Sequence, residues 1–183
     1  MADIDIGSYP ALLSPITLGG RALRNRVMHA SMTTEMAEAR RVTDALMQYH
    51  VNRALGGAAM TVTEPLGMAS HQRELTRPQV VSENLEGFRR WADKVESLDC
   101  RLIGQIQDSG RGRHYSGRTH DAVGASALPD DLSWTVPHQL HADEIKSMIG
   151  EFAESSRKLR ECGFSGVEIS AGHGHLFHQF LSP

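Results

Sequence analysis

Gly163-Phe-Ser-Gly-Val-Glu-Ile-Ser-Ala-Gly-His-Gly-His175 carries a complete helix-to-strand transition with a polar strand end. It opens on a glycine that stops a helix, passes through the short apolar strand Val167-Glu168-Ile169, and ends in a run of small, hydroxyl and imidazole residues. Upstream, Asp143 and Glu144 suit a helix N-terminus, and Lys158 and Arg160 suit its C-terminal dipole. Between them Ile145, Met148, Ile149, Phe152 and Leu159 are read as the core face. Helix, tight stop, apolar strand and polar strand end together make one α/β unit.

The same unit recurs toward the N-terminus. Ser82 is read as the cap of a helix that buries Leu85, Phe88, Ala92 and Val95, with Asp93, Lys94 and Glu96 outward. A strand over residues 101–107 follows. Before it, Thr43 caps a helix with Asp44 in its first turn and Leu46, Met47, His50 and Ala54 on one face. Gly56 stops that helix, and a strand over 58–63 runs into Glu64-Pro65. Residues 27–30 read as the first strand. Leu18-Gly19-Gly20-Arg21 reads as a tight hairpin whose glycines supply positive φ.

Strands that alternate with helices imply a parallel sheet with right-handed crossovers. A barrel of eight β/α units takes about 250 residues; this chain has 183. Four units fit, so counting predicts the first half of a (β/α)8 barrel behind an N-terminal β-hairpin, unless the sheet stays open. The expected organisation is one domain, 1–183, ending after the fourth strand. The segment 108–139 is long for a connection and rich in Gly, Ser, Arg, His and Pro, which marks a functional or disordered loop.

Composition narrows the function classes. A net charge of -3 offers no basic field to concentrate nucleic acid or an anionic membrane surface, so neither partner is expected. No apolar run reaches the length of a membrane span, and Met-Ala-Asp-Ile-Asp is acidic where a signal peptide is basic. A cytoplasmic protein is expected. Cys100 and Cys162 lack metal or disulfide spacing and read as reduced structural residues.

In a β/α barrel the reactive groups gather where strands end on the C-terminal face. Four such ends are legible: Ala30-Ser31-Met32-Thr33, Thr63-Glu64-Pro65, Gln105-Ile106-Gln107-Asp108 and Ser170-Ala-Gly-His-Gly-His175. Hydroxyl, amide and imidazole groups in one place suit the edge of a planar heterocycle, and the Gln105 carboxamide both donates and accepts.

Three blocks make the reading specific. Leu18-Gly-Gly-x-x-Leu-Arg-Asn-Arg26, Gln105-x-x-x-x-Gly-Arg111 and the run from Gly166 to Pro183 resemble, in order, the opening hairpin, third-strand motif and fourth-strand motif of the Old Yellow Enzyme family. The resemblance implies an FMN-binding barrel oxidoreductase that takes electrons from NAD(P)H. It places Thr33 near the flavin N5/O4 edge, Ser31 and Met32 along the ring, Pro65 at the second strand end and Gln105 at the pyrimidine edge. His173 matches the position that binds the substrate's electron-withdrawing group, and a donor there stabilises developing charge. The substrate is expected to be a small molecule.

Departures from the family pattern bear on substrate. Ser170 stands where a partner His is common, His175 where a proton-donating Tyr is common, and Asp108 where a His is frequent. His175 is read as the acid. Asp108 is read as a holder of a cationic amine, which sets N-methylated amines beside activated alkenes as the substrate class. Arg111, Arg113 and Arg118 are read either as a clamp for an acidic group or as exposed loop residues. Glu168 is expected to pair with a basic residue inside the barrel.

The oxidoreductase is expected to be complete only with a complementary second half-barrel, supplied by another chain, by self-association or by sequence lost through truncation. Two other readings of the whole chain remain. One is a non-catalytic half-barrel that serves as a binding or assembly module. The other is a metallohydrolase using His173 and His175, which the absence of locatable carboxylate ligands disfavours; no metal is expected.

Overall fold

The computed structural model of the chain describes residues 9–68, 76–112, 122–129, 131 and 134–183. A one-turn helix, α1 (Pro10–Leu13), leads into the hairpin strands β1 (Ile16–Leu18) and β2 (Arg21–Leu23), followed by β3 (Met28–His29). Then come α2 (Asp44–Leu55), β4 (Met60–Val62), a 3-10 turn over Ser82–Asn84, α3 (Leu85–Glu96) and β5 (Arg101–Ile106). After a second 3-10 turn over Gly110–Gly112 follow β6 (Val123–Gly124), β7 (His138–Gln139), α4 (Ala142–Glu161), β8 (Gly166–Ile169) and α5 (Leu176–Leu181).

The hairpin closes on Gly19 and Gly20, both at positive φ (55° and 76°), which is the backbone a two-residue turn between twisted strands requires. The principal sheet runs β3-β4-β5-β8, every pair parallel, in chain order. Helices α2, α3 and α4 cross back between those strands. This is half of a (β/α)8 barrel, the architecture expected from the alternation.

Register assigns the two faces. Thr61 pairs with Leu102, and Gly104 and Ile106 with Val167 and Ile169, so these point to the helix side. There Leu46, Met47, Phe88, Trp91, Val95, Leu102, Ile106 and Leu159 are buried to 1% exposure or less. Phe88, Trp91 and Phe164 pack ring to ring at the centre. The opposite face carries Met28, Met60 and Arg101 in one row, Val62, Ile103 and Gly166 in the next, and Gln105 beside Glu168. Together with the hairpin it lines an open trough of about 450 Å³.

Several local expectations need correction. Ser82 opens a 3-10 turn rather than capping α3, whose N-cap is Asn84. Ile149 is 63% exposed, because α4 buries the face of Met148, Phe152, Ser155 and Leu159, one residue over. The stretch after β5 is not structureless: β6 and β7 pair in parallel within it. Arg113 and Arg118 lie outside the described residues.

Candidate functional site

The strand ends of the sheet meet at one cavity of about 150 Å³. Ser31 and Thr33 reach it from the segment after β3, and Pro65 from the end of β4. Gln105 comes from β5 itself, and Ser170, His173 and His175 from the segment after β8. Parallel strands in register put all four ends on the same side, which is why residues 144 positions apart share one surface.

Each wall is fixed by hydrogen bonds that originate in the sheet. Ser31 Oγ donates to the Thr63 carbonyl at 2.6 Å, tying the first strand end to the second. Thr63 Oγ1 accepts from the Gln105 amide at 3.0 Å, tying the second to the third. Gln105 Nε2 donates to Glu168 Oε1 at 2.6 Å, tying the third to the fourth. Glu168 therefore answers a neutral amide rather than the basic residue expected. With its nitrogen on Glu168, the Gln105 carboxamide keeps its oxygen as an acceptor for a donor in the cavity.

Glu64 governs the loop that carries Thr33. It is fully buried, and its Oε2 accepts from the Thr34 amide (2.8 Å), the Thr34 hydroxyl (2.9 Å) and the Glu35 amide (3.3 Å). Glu35 sits at φ 56°, a backbone that a non-glycine residue holds only when its surroundings fix it. The other carboxylate oxygen, Oε1, is buried without a hydrogen-bond partner.

The fourth wall is a tight turn. His175 N donates to the Gly172 carbonyl, and His173 and Gly174 between them take φ of 59° and 72°. The left-handed His173 is a strained placement that lifts its ring to the cavity. The His173 and His175 rings stand 5.7 Å apart, centroid to centroid. His178 Nδ1 accepts from the Gly174 amide and so serves the turn. Among the described residues, these three histidines do not gather as a three-ligand cluster; the one such group is His138, His141 and Glu144 elsewhere.

Two expected residues stand apart. Asp108 is 4% exposed, its Oδ1 accepts from the Gly110 amide at 2.7 Å, and it does not line the cavity. Met32 is 58% exposed and also lies off the lining. Conversely, Arg77, not read from the sequence, and Gln107, read as part of a strand end but given no role, also line the cavity. Gln107 had a signal, since it continues the alternation of Gln105 past the strand end. Arg77 had none, because it lies in an aperiodic segment and its burial is set by tertiary packing alone.

The chain matches the NADH:flavin oxidoreductase / NADH oxidase family over residues 11–183. It is 32% identical over 173 residues to the metal reductase of Desulforamulus reducens, covering 94% of this chain and 26% of that protein. It is 27% identical over 176 residues to the NADPH dehydrogenase of Bacillus subtilis, covering 94% of this chain and 51% of that protein. Among solved structures it superposes on TcOYE with pHBA at a TM-score of 0.82 and 26% identity, covering 94% of this chain and 54% of that one. The chain thus spans about half the length of the NADPH dehydrogenase and about a quarter of the metal reductase.

Proposed function

This chain belongs to the NADH:flavin oxidoreductase / NADH oxidase family, and from that premise we propose that it forms the flavin-edge and substrate side of an FMN-dependent oxidoreductase. The reaction is hydride transfer between NAD(P)H, the flavin and a small organic substrate. The observation that carries this reading is the convergence of Ser31, Thr33, Pro65, Gln105, Ser170, His173 and His175 from four strand ends onto one cavity.

The residues present suit one edge of FMN. The Gln105 oxygen would accept from a ring N–H, the Thr33 hydroxyl would donate to a ring acceptor, and Pro65 would pack against the ring; Ser31 and Met32 belong to the same strand end as Thr33. A cavity of about 150 Å³ is smaller than the 300–1,000 Å³ of whole cofactor sites, so these residues hold an edge and not the entire group. When bound, FMN supplies the hydride-accepting and hydride-donating centre.

The chain's own contribution is orientation and charge. His173 donates to the oxygen of the substrate's electron-withdrawing group, where negative charge grows as hydride arrives. His175 delivers the proton. Ser170, beside them, replaces an imidazole donor with a hydroxyl, which binds the same oxygen more weakly. With Asp108 buried and off the cavity lining, we favour an activated alkene over a cationic amine as the substrate. A cytoplasmic location, where nicotinamide donors are available, fits this reaction.

Flavin fluorescence tests the reading. Titration of the chain with FMN is expected to give saturable quenching of modest affinity, since a cavity of about 150 Å³ holds only part of the cofactor. Gln105→Leu and Thr33→Val are expected to weaken it severalfold. Quenching that neither substitution changes would remove the cavity from the flavin site.

A further inference from the structure

We propose that His138, His141 and Glu144 form a binding site for a borderline-soft divalent cation such as Zn²⁺, remote from the strand-end cavity and independent of the flavin reading. His138 opens β7, His141 is the N-cap of α4, and Glu144 is in its first turn. Their ligand atoms lie within 4.8 Å of one another. Zn²⁺ bonds to imidazole nitrogen and carboxylate oxygen at about 2.0–2.2 Å, which puts tetrahedral ligands roughly 3.4 Å apart, so rotamer adjustment without backbone movement closes the set.

Two features show a prearranged cluster. His138 Nε2 already stands 2.8 and 2.9 Å from the two Glu144 oxygens. Glu144 Oε2 also accepts from the His141 amide at 2.7 Å, so the carboxylate is oriented by a backbone donor, leaving Oε1 to a metal. The His138 and His141 rings meet edge to face at 5.5 Å. Two imidazoles and one carboxylate are the donor set that favours Zn²⁺, Cu²⁺ or Ni²⁺ over Mg²⁺ or Ca²⁺, which demand oxygen ligands. The helix N-terminus opposes a cation, but that effect is small against the bonds of three ligands.

The consequence is structural. His138 is held in β7: its amide donates to the Ala122 carbonyl and the Leu140 amide to the Gly124 carbonyl, and β6 packs near Gln179 of α5. A cation joining His138 to α4 would pin the connection between β5 and α4 at its far end. It is a structural site, because half-exposed ligands give no dry cavity for chemistry.

Competition with a chromophoric chelator measures it directly on the full chain. One Zn²⁺ per chain with micromolar affinity is expected, along with a Zn²⁺-dependent rise in Tm, and neither with Mg²⁺. His138→Ala and His141→Ala should each weaken uptake about tenfold or more, while His173→Ala leaves it unchanged. In the unsubstituted chain, Zn²⁺ should shield His138 and His141 from diethyl pyrocarbonate, a readout that needs no variant to fold. Undiminished uptake in either variant, loss of uptake with His173→Ala, modification of His138 unaffected by Zn²⁺, or no saturable binding would each overturn the proposal.

Discussion

His50 faces Thr61 across the helix–sheet interface, its Nδ1 2.8 Å from the hydroxyl, with its Nε2 buried and unpartnered beside Trp91. Burial, reinforced by His29 and Arg53, pushes its pKa down to about 3; His29 moves the same way, by burial and then Arg53. An unfolded histidine takes its proton near pH 6.5. Between those values the unfolded chain binds the extra proton, so the stabilisation is present above pH 6.5 and is lost as pH falls toward 3. Urea unfolding should show stability dropping by up to about 1.4 kcal/mol per pH unit for that proton. His50→Gln, which keeps a partner for Thr61, should flatten the slope, and an unchanged slope would assign acid loss to other groups. Glu64 acts through hydrogen bonds to the loop after β3. Glu64→Ala strips the acceptor from two backbone amides and a hydroxyl, leaving Glu35 without what holds its positive φ. A loss of about 3 kcal/mol in unfolding free energy is expected, with FMN quenching weakened in parallel because Thr33 is on the released loop. A loss below about 1 kcal/mol would mean the loop is held by other contacts.

Helix α2 shows what a cap contributes. Thr43 Oγ1 accepts from the Leu46 amide at 3.1 Å and donates to the Met36 carbonyl at 2.6 Å, so it binds the helix start to the loop before it. Thr43→Ala should lower stability by about 1 kcal/mol in chemical denaturation, and Thr43→Ser by much less. That cap, the stops at Gly56 and Gly163 and the four strands were legible because each is a local signal: a hydroxyl before an apolar face, a glycine after one, a short apolar run. Ser82 carried the same hydroxyl signal and misled, since Asn84 follows and the chain tightens into a 3-10 turn before α3. Ile149 misled because Ile145 and Ile149 share a helical spacing, yet the sheet meets the neighbouring face, and sequence spacing does not reveal which of two adjacent stripes is covered. Strands β6 and β7 are two residues each and carry no periodicity to read. At the candidate site the polar strand ends were visible. Their bonding was not: Asp108 turning inward and Arg77 entering the cavity are set by loops whose course depends on tertiary contacts.

The sheet has two edges, β3 and β8, each hydrogen-bonded to a strand on one side among the described residues. On the helix side of β8, Val167 is 37% exposed and Ile169 46%, whereas Leu102 and Ile106 on the equivalent face of β5 are wholly covered. Ile149 of α4 and Phe180 and Leu181 of α5 add further exposed apolar surface. On the trough side Met28 is 47% exposed. A strand edge with open N–H and C=O groups flanked by Val and Ile is a template for pairing, and nothing charged on β8 opposes it except Glu168, which is occupied by Gln105. The chain alone is therefore expected to self-associate as its concentration rises. Sedimentation velocity across a hundredfold concentration range should show the weight-average sedimentation coefficient increasing. Ile169→Lys places a charge on the open edge while facing away from the Gln105 to Glu168 bond, so it should suppress association and leave FMN quenching in place. Val62→Lys serves as the contrast: Val62 is 1% exposed, so it should unfold the chain rather than disperse it. A sedimentation coefficient independent of concentration for the unsubstituted chain, or association undiminished by Ile169→Lys, would show that the β8 edge is already shielded.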